Sequence, residues 1–129
     1  MFDMGPVEKA VRNAVREGDA LFTPSRGQPF LIGRISSDGI VLELGQKRTP
    51  TLFRWECLEG IPPFLQQHGR VPINGSGKSQ YIVSGTLDGY LKAHINRLTA
   101  GWVAALLEKA EVVDIERTAP AHVRLRRDR

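Results

Sequence analysis

Apolar side chains along this chain switch repeatedly between two periods, and the changes mark out its elements. From Pro6 to Glu17 the positions Val7, Ala10, Val11, Ala14 and Val15 recur three and four residues apart, which predicts one buried helical face. Pro6 suits the first helical position and Gly18 a helix stop. From Leu21 to Trp55 the period falls to two. Phe30 to Ser36 and Ile40 to Leu44 flank Asp38-Gly39, a dipeptide favoured in two-residue hairpin loops because both loop positions need positive φ. Such a loop pairs Ile35 with Leu42 and Arg34 with Glu43, apolar against apolar and charge against opposite charge. Leu21 to Thr23 adds an edge strand ended by Pro24, and Thr51 to Trp55 adds another after the turn Gly45 to Arg48. The front of the chain thus reads as a helix followed by an antiparallel meander.

Glu56 to Gln67 is helical in pattern but is broken or restarted at Pro62-Pro63, since proline removes a donor and restricts its predecessor. His68 to Gln80 is rich in Gly, Ser and Asn and reads as a loop, and Tyr81-Ile82-Val83 as a short strand. The helical period then returns in Leu87, Tyr90, Leu91, His94, Ile95 and Leu98. After Thr99, a good N-cap, it continues in Trp102, Val103, Leu106, Leu107 and Ala110. Finally Val113 and Ile115 alternate with Asp114 and Glu116, and Val123 and Leu125 with Arg124 and Arg126, as in a hairpin. Both apolar pairs must face one core, so the loop between them holds an odd number of residues. A loop of Thr118 to Pro120 sets Asp114 opposite Arg124; one of Ala119 to Ala121 sets Glu116 there.

Helix, strand, helix, helix and two-stranded hairpin, over residues 55–127, resemble the winged helix-turn-helix superfamily in element order. The fold class expected is α+β: residues 1–54 form a helix and β-meander subdomain and residues 55–129 a winged-helix-like subdomain, in one compact domain. The resemblance implies a nucleic acid, DNA in the first instance, as partner. One departure stands out. A helix that reads base edges carries Arg, Asn, Gln or Lys on its open face, whereas the expected open face of residues 99–111 is Ala100, Gly101, Ala104, Ala105 and Glu108. Binding through phosphates, which needs no base contact, is compatible with that face.

Charge sharpens this picture. The chain of 129 residues has a formal net charge of +4, unevenly spread. Residues 1–44 carry five basic and six acidic side chains, residues 45–79 five and two, and residues 118–129 four and one. Basic groups concentrated in the middle loops and at the C-terminal end favour a polyanionic partner. The expected phosphate contacts are Lys47, Arg48, Arg70, Lys78, Lys92, Arg97, Arg117, Arg124, Arg126 and Arg127, with Arg129 beside them. The competing expectation is a non-enzymatic interaction module, or a homodimer, that uses Ala100, Ala104 and Ala105 with the N-terminal sheet.

Candidate chemistry narrows the choice further. Gly75-Ser76-Gly77-Lys78-Ser79 ends like a P-loop, but Pro72 stands where the first glycine belongs. His68, His94 and His122 are widely separated and suggest no metal site. Cys57 lies beside Glu56 and near Glu59, which hold a thiol protonated and work against a nucleophile. A single cysteine also rules out an internal disulfide. With no recognisable catalytic constellation, neither an enzyme nor a cofactor is expected. The N-terminus lacks the apolar run of a signal peptide and no stretch is long enough for a membrane span, so a cytoplasmic protein is expected.

Overall fold

A computed structural model describes residues 4–24, 27–73, 86–87, 90–91, 99–118 and 121–126. Among them are four helices, α1 (Pro6–Ala14), α2 (Trp55–Glu59), α3 (Ile61–His68) and α4 (Ala100–Lys109). Four strands, β1 (Ala20–Phe22), β2 (Pro29–Ile35), β3 (Gly39–Leu44) and β4 (Thr49–Arg54), pair in sequence order as an antiparallel meander. A second antiparallel sheet, in the order β5-β7-β6, is made of β5 (Val71–Pro72), β6 (Val113–Glu116) and β7 (His122–Leu125). The protein is α+β. Leu87, Tyr90 and Leu91 are helical; the rest of that expected helix and the expected strand Tyr81 to Val83 lie outside the described residues. Val71 and Pro72, read as loop, are instead a strand, held by pairing with Val123 and His122.

Helix α1 buries Val7 and Val11, with Val15 just beyond it, as the stripe predicts. It ends at Ala14, earlier than Gly18, because Val15 is already extended and the Gly18 N–H donates to Ile32 O on β2 at 2.7 Å. The sheet takes over the backbone before the glycine is reached. The helix start is capped from a distance. Gly5 has no side chain to offer, and the Glu59 carboxylate accepts from the N–H groups of Val7 at 3.1 Å and Glu8 at 2.8 Å. That contact ties α1 to the end of α2.

The β2–β3 hairpin differs from its expected register. Ile35 pairs with Ile40, whereas Ile32 pairs with Leu42, so the ladder slips at Gly33-Arg34. The turn centres on Ser37-Asp38, with the Ser36 N–H donating to Gly39 O at 2.9 Å. Gly39 is already in β3, and its φ is not positive. A Cβ there would strike the Phe53 carbonyl oxygen and lie 2.9 Å from the Arg54 Cα. Glycine is therefore required by the close approach of β4, not by the turn. The bulge keeps Phe30, Ile32, Ile40 and Leu42 buried together, and tertiary packing thus overrides the dipeptide signal. Arg12 fixes the hairpin tip: its guanidinium donates to Ser36 O and to Glu8, and lies 5.6 Å from the centre of the Trp55 ring. The Trp55 indole N–H donates to the same carbonyl at 2.8 Å.

The helical break falls at Gly60, and Pro62 and Pro63 sit in the first turn of α3, where a missing N–H costs nothing. A side chain at Gly60 would collide with the Tyr90 hydroxyl, which donates to Cys57 O at 2.7 Å. Helix α4 is enclosed on nearly every side. Ala100, Val103, Ala104, Ala105, Leu106 and Leu107 are all buried, because α1, β1 and β6 pack around it. It closes with a Schellman motif: Glu111 takes φ 63°, and the Val112 N–H reaches Leu107 O at 2.9 Å. The final hairpin pairs Val113 with Leu125 and Asp114 with Arg124, the first of the two expected registers. One apolar cluster runs from Val7 in α1 through Phe30, Ile40 and Phe53 to Leu106, Val113 and Val123.

Candidate functional site

The expected basic residues divide by what surrounds them. Lys78, Lys92, Arg97, Arg127 and Arg129 lie outside the described residues. Arg117 makes a bidentate pair with Glu108, at 2.6 and 2.7 Å, and this raises its pKa further. Arg70 pairs with Glu116 at 2.7 Å and Arg126 with Glu111 at 3.2 Å. Arg124 is half-buried on β7 opposite Asp114, and its Nε has no hydrogen-bond partner. Arg117 and Arg126, both expected phosphate contacts, are thus matched by carboxylates of α4 and the turn after it. Of the expected contacts that are described, Lys47 and Arg48 are the exposed ones that make no ion pair, a condition shared elsewhere on the chain by Lys9, Arg16, Arg34, Arg54 and Lys109.

Both belong to the four-residue turn between β3 and β4, where the Arg48 N–H donates to Gly45 O at 3.1 Å. Gly45 at φ 72° and Arg48 at φ 52° bend the chain tightly and hold the two cations side by side. The turn faces a cleft of about 630 Å³, lined by Gln28 and Pro29 of the β2 start, Leu44 to Lys47, Thr49, Thr99 and Trp102. Meander and α4 therefore meet at one open site. The first-turn N–H groups of any helix lack partners within it and carry its positive end, and α4 begins at this cleft.

Two further groups there are unsatisfied. Thr99 is only 1% exposed, and its Oγ1 has no hydrogen-bond partner; the Trp102 Nε1 is likewise buried and unpaired. Thr99, read as an N-cap, makes no side-chain cap bond. An unpaired buried polar group costs about 1–3 kcal/mol, so its presence on a cleft wall calls for explanation. Thr99 and Trp102 are site residues that the sequence pattern concealed, since both fit a helix start and an apolar stripe. Gln28 and Gln46 had no spacing to announce them.

The Ala100, Ala104 and Ala105 surface is not available to a partner. These residues are 1%, 0% and 7% exposed and belong to the core of the chain itself. The helix is covered on most of its circumference, leaving Gly101, Trp102 and Glu108 partly exposed and Lys109 exposed, so its small side chains admit neighbouring elements of its own fold. The N-terminal sheet leaves Phe22 and Leu52 exposed.

Cys57 is buried, and burial, aided by the Glu56 carboxylate, pushes its thiol up to about 11. Tyr90 is raised to about 12, again mainly by burial. Both groups stay protonated at neutral pH. His68 ends α3 against Phe64, with ring centres 4.5 Å apart, and His122 lies on β7 opposite Glu116. No group of three metal-ligating side chains gathers among the described residues, and no helix among them is long and apolar enough to cross a membrane. Compared with known protein families, curated proteins and solved structures, the chain finds no match.

Proposed function

We propose that the protein binds nucleic acid chiefly through phosphates, and that the contact centres on the β3–β4 turn and the adjoining cleft. One observation carries the reading. Lys47 and Arg48 are exposed on one turn without carboxylate partners, and Lys47 lines the cleft at which α4 begins. The ion-paired Arg70, Arg117 and Arg126 are secondary contacts, because exposed pairs are worth only about 0–1 kcal/mol and exchange readily for phosphate. The buried α4 presents no side chains to a major groove, in keeping with sequence-tolerant binding. The hairpin β6–β7 follows α4, and Arg117 and Arg126 beside it are balanced by carboxylates of α4 and of the turn after it.

Fluorescence anisotropy on random-sequence oligonucleotides, at several salt concentrations, tests the reading. About four phosphate contacts give a slope of log K against log salt near −3.6 on duplex DNA. Replacing Lys47 and Arg48 together with alanine should weaken binding to all sequences alike and flatten that slope by about 1.8. Replacing Arg117 and Arg126 should flatten it less. If no duplex or single strand binds at low salt, the reading is wrong, and an interaction module using the exposed sheet residues takes its place.

A further inference from the structure

We propose that the cleft between the β3–β4 turn and α4 takes one unpaired nucleotide at a time. The inference rests on the nucleic-acid reading above and names the part of the polymer the cleft receives. Three features of the walls define the ligand. The volume, about 630 Å³, falls in the range of small-molecule sites and exceeds what a bare phosphate needs. Pro29, Leu44 and the half-buried indole of Trp102 form an apolar wall suited to a planar ring. Two of the polar groups, the Trp102 Nε1 and Lys47, can only donate, while the Thr99 hydroxyl and the carboxamides of Gln28 and Gln46 can donate or accept; the Trp102 and Thr99 atoms have no partner within the protein.

A nucleotide matches that set. Its base is flat and apolar on both faces and carries acceptors and donors along its edge, and its phosphate is anionic. An inorganic anion would leave the apolar wall bare, and a lipid chain would leave the donors unmet. Thr99, the N-cap of α4, and Trp102 are one helical turn apart, and Lys47 lines the same cleft from the β3–β4 turn. Base and phosphate are thus received by different elements. A base held in a stack and paired cannot enter, so the strand must be single or locally opened.

Three labelled probes are compared by anisotropy at low salt: an intact duplex, the same duplex with one bulged nucleotide, and the corresponding single strand. In parallel, intrinsic tryptophan emission is followed while adenosine monophosphate or inorganic phosphate is added. The bulged duplex and the single strand should bind about tenfold tighter than the intact duplex. The mononucleotide should quench emission, and inorganic phosphate should not. Trp102→Phe should remove the quench, leaving Trp55 as reporter. Gln46→Ala, on an exposed turn, and Thr99→Val should weaken binding of the bulged duplex and the single strand more than that of the intact duplex, and so shrink the preference. Equal affinity for all three probes, with the Lys47 and Arg48 dependence intact and no quench, overturns the nucleotide cleft but spares the phosphate reading. Loss of all polymer binding, with the mononucleotide quench retained, has the opposite meaning: the cleft stands and the polymer reading falls.

Discussion

Glu111 occupies a backbone conformation that suits glycine. At the end of α4 it takes φ 63°, a left-handed state that costs an L-residue roughly 1–2 kcal/mol. Its carboxylate pairs with Arg126 but is 72% exposed, so the pair returns only a fraction of that. Glu111→Gly should therefore raise stability by about 0.5–1 kcal/mol in urea melts, and Glu111→Ala should not; equal effects would remove backbone strain as the cause. Gly60 is the reverse case. Gly60→Ala should cost about 1–3 kcal/mol, because the new methyl displaces the Tyr90 hydroxyl from Cys57 O. In a double-mutant cycle Tyr90→Phe should recover part of that loss; additive losses would show that no collision occurs. Neither glycine logic was visible in sequence. Gly39 was legible as a special position but for the wrong reason, since close backbone approach and positive φ leave the same residue behind.

Elements were easier to read than their connections. The stripes of α1 and α4, the strands of the meander and the odd loop length of the last hairpin follow from periodicity, which reports which face is buried and leaves two registers of that hairpin open. Periodicity does not report how many faces are buried. Ala100, Ala104 and Ala105 looked like an open face because a two-sided helix was assumed; a helix apolar or small almost all round is a central one. Long-range caps are equally silent. Glu59 closes α1 from 52 residues away, with no spacing rule to reveal it. Glu59→Ala should destabilise by about 1–2 kcal/mol, as loss of an N-cap does, and Glu59→Gln by less because one acceptor oxygen remains. Chemical denaturation with helix content read by circular dichroism checks this; an unaltered midpoint for Glu59→Ala would show that α1 needs no such cap.

Across the whole molecule, the buried acids set a limit on the alkaline side. Cys57 moves from an ordinary value of 9.0 to about 11, and Tyr90 from 10.0 to about 12. Each is harder to ionise folded than unfolded. Their contribution is complete below pH 9 and is lost as pH rises through the folded values, since the unfolded chain releases its protons first. Stability should be level from pH 7 to 9 and fall between 9 and 12. Cys57→Ala should remove the early part of that decline, between about pH 9 and 11, and leave the later part. A fall of the same shape in the variant would assign the loss to other groups. The candidate cleft belongs to this scale too. It is built from the β2 start, the β3–β4 turn and a helix some fifty residues further on, so only the assembled fold displays it.

On the ribosome this chain is made front first, yet the helix that packs on α1 and β1 begins at Ala100. Until Leu106 and Leu107 emerge, the apolar face they join has no cover, and the cap of α1 waits for Glu59. The meander must leave the exit tunnel unfinished and exposed. Folding therefore waits for α4 to be made, and a nascent chain stalled before the α4 codons is a natural client for a chaperone.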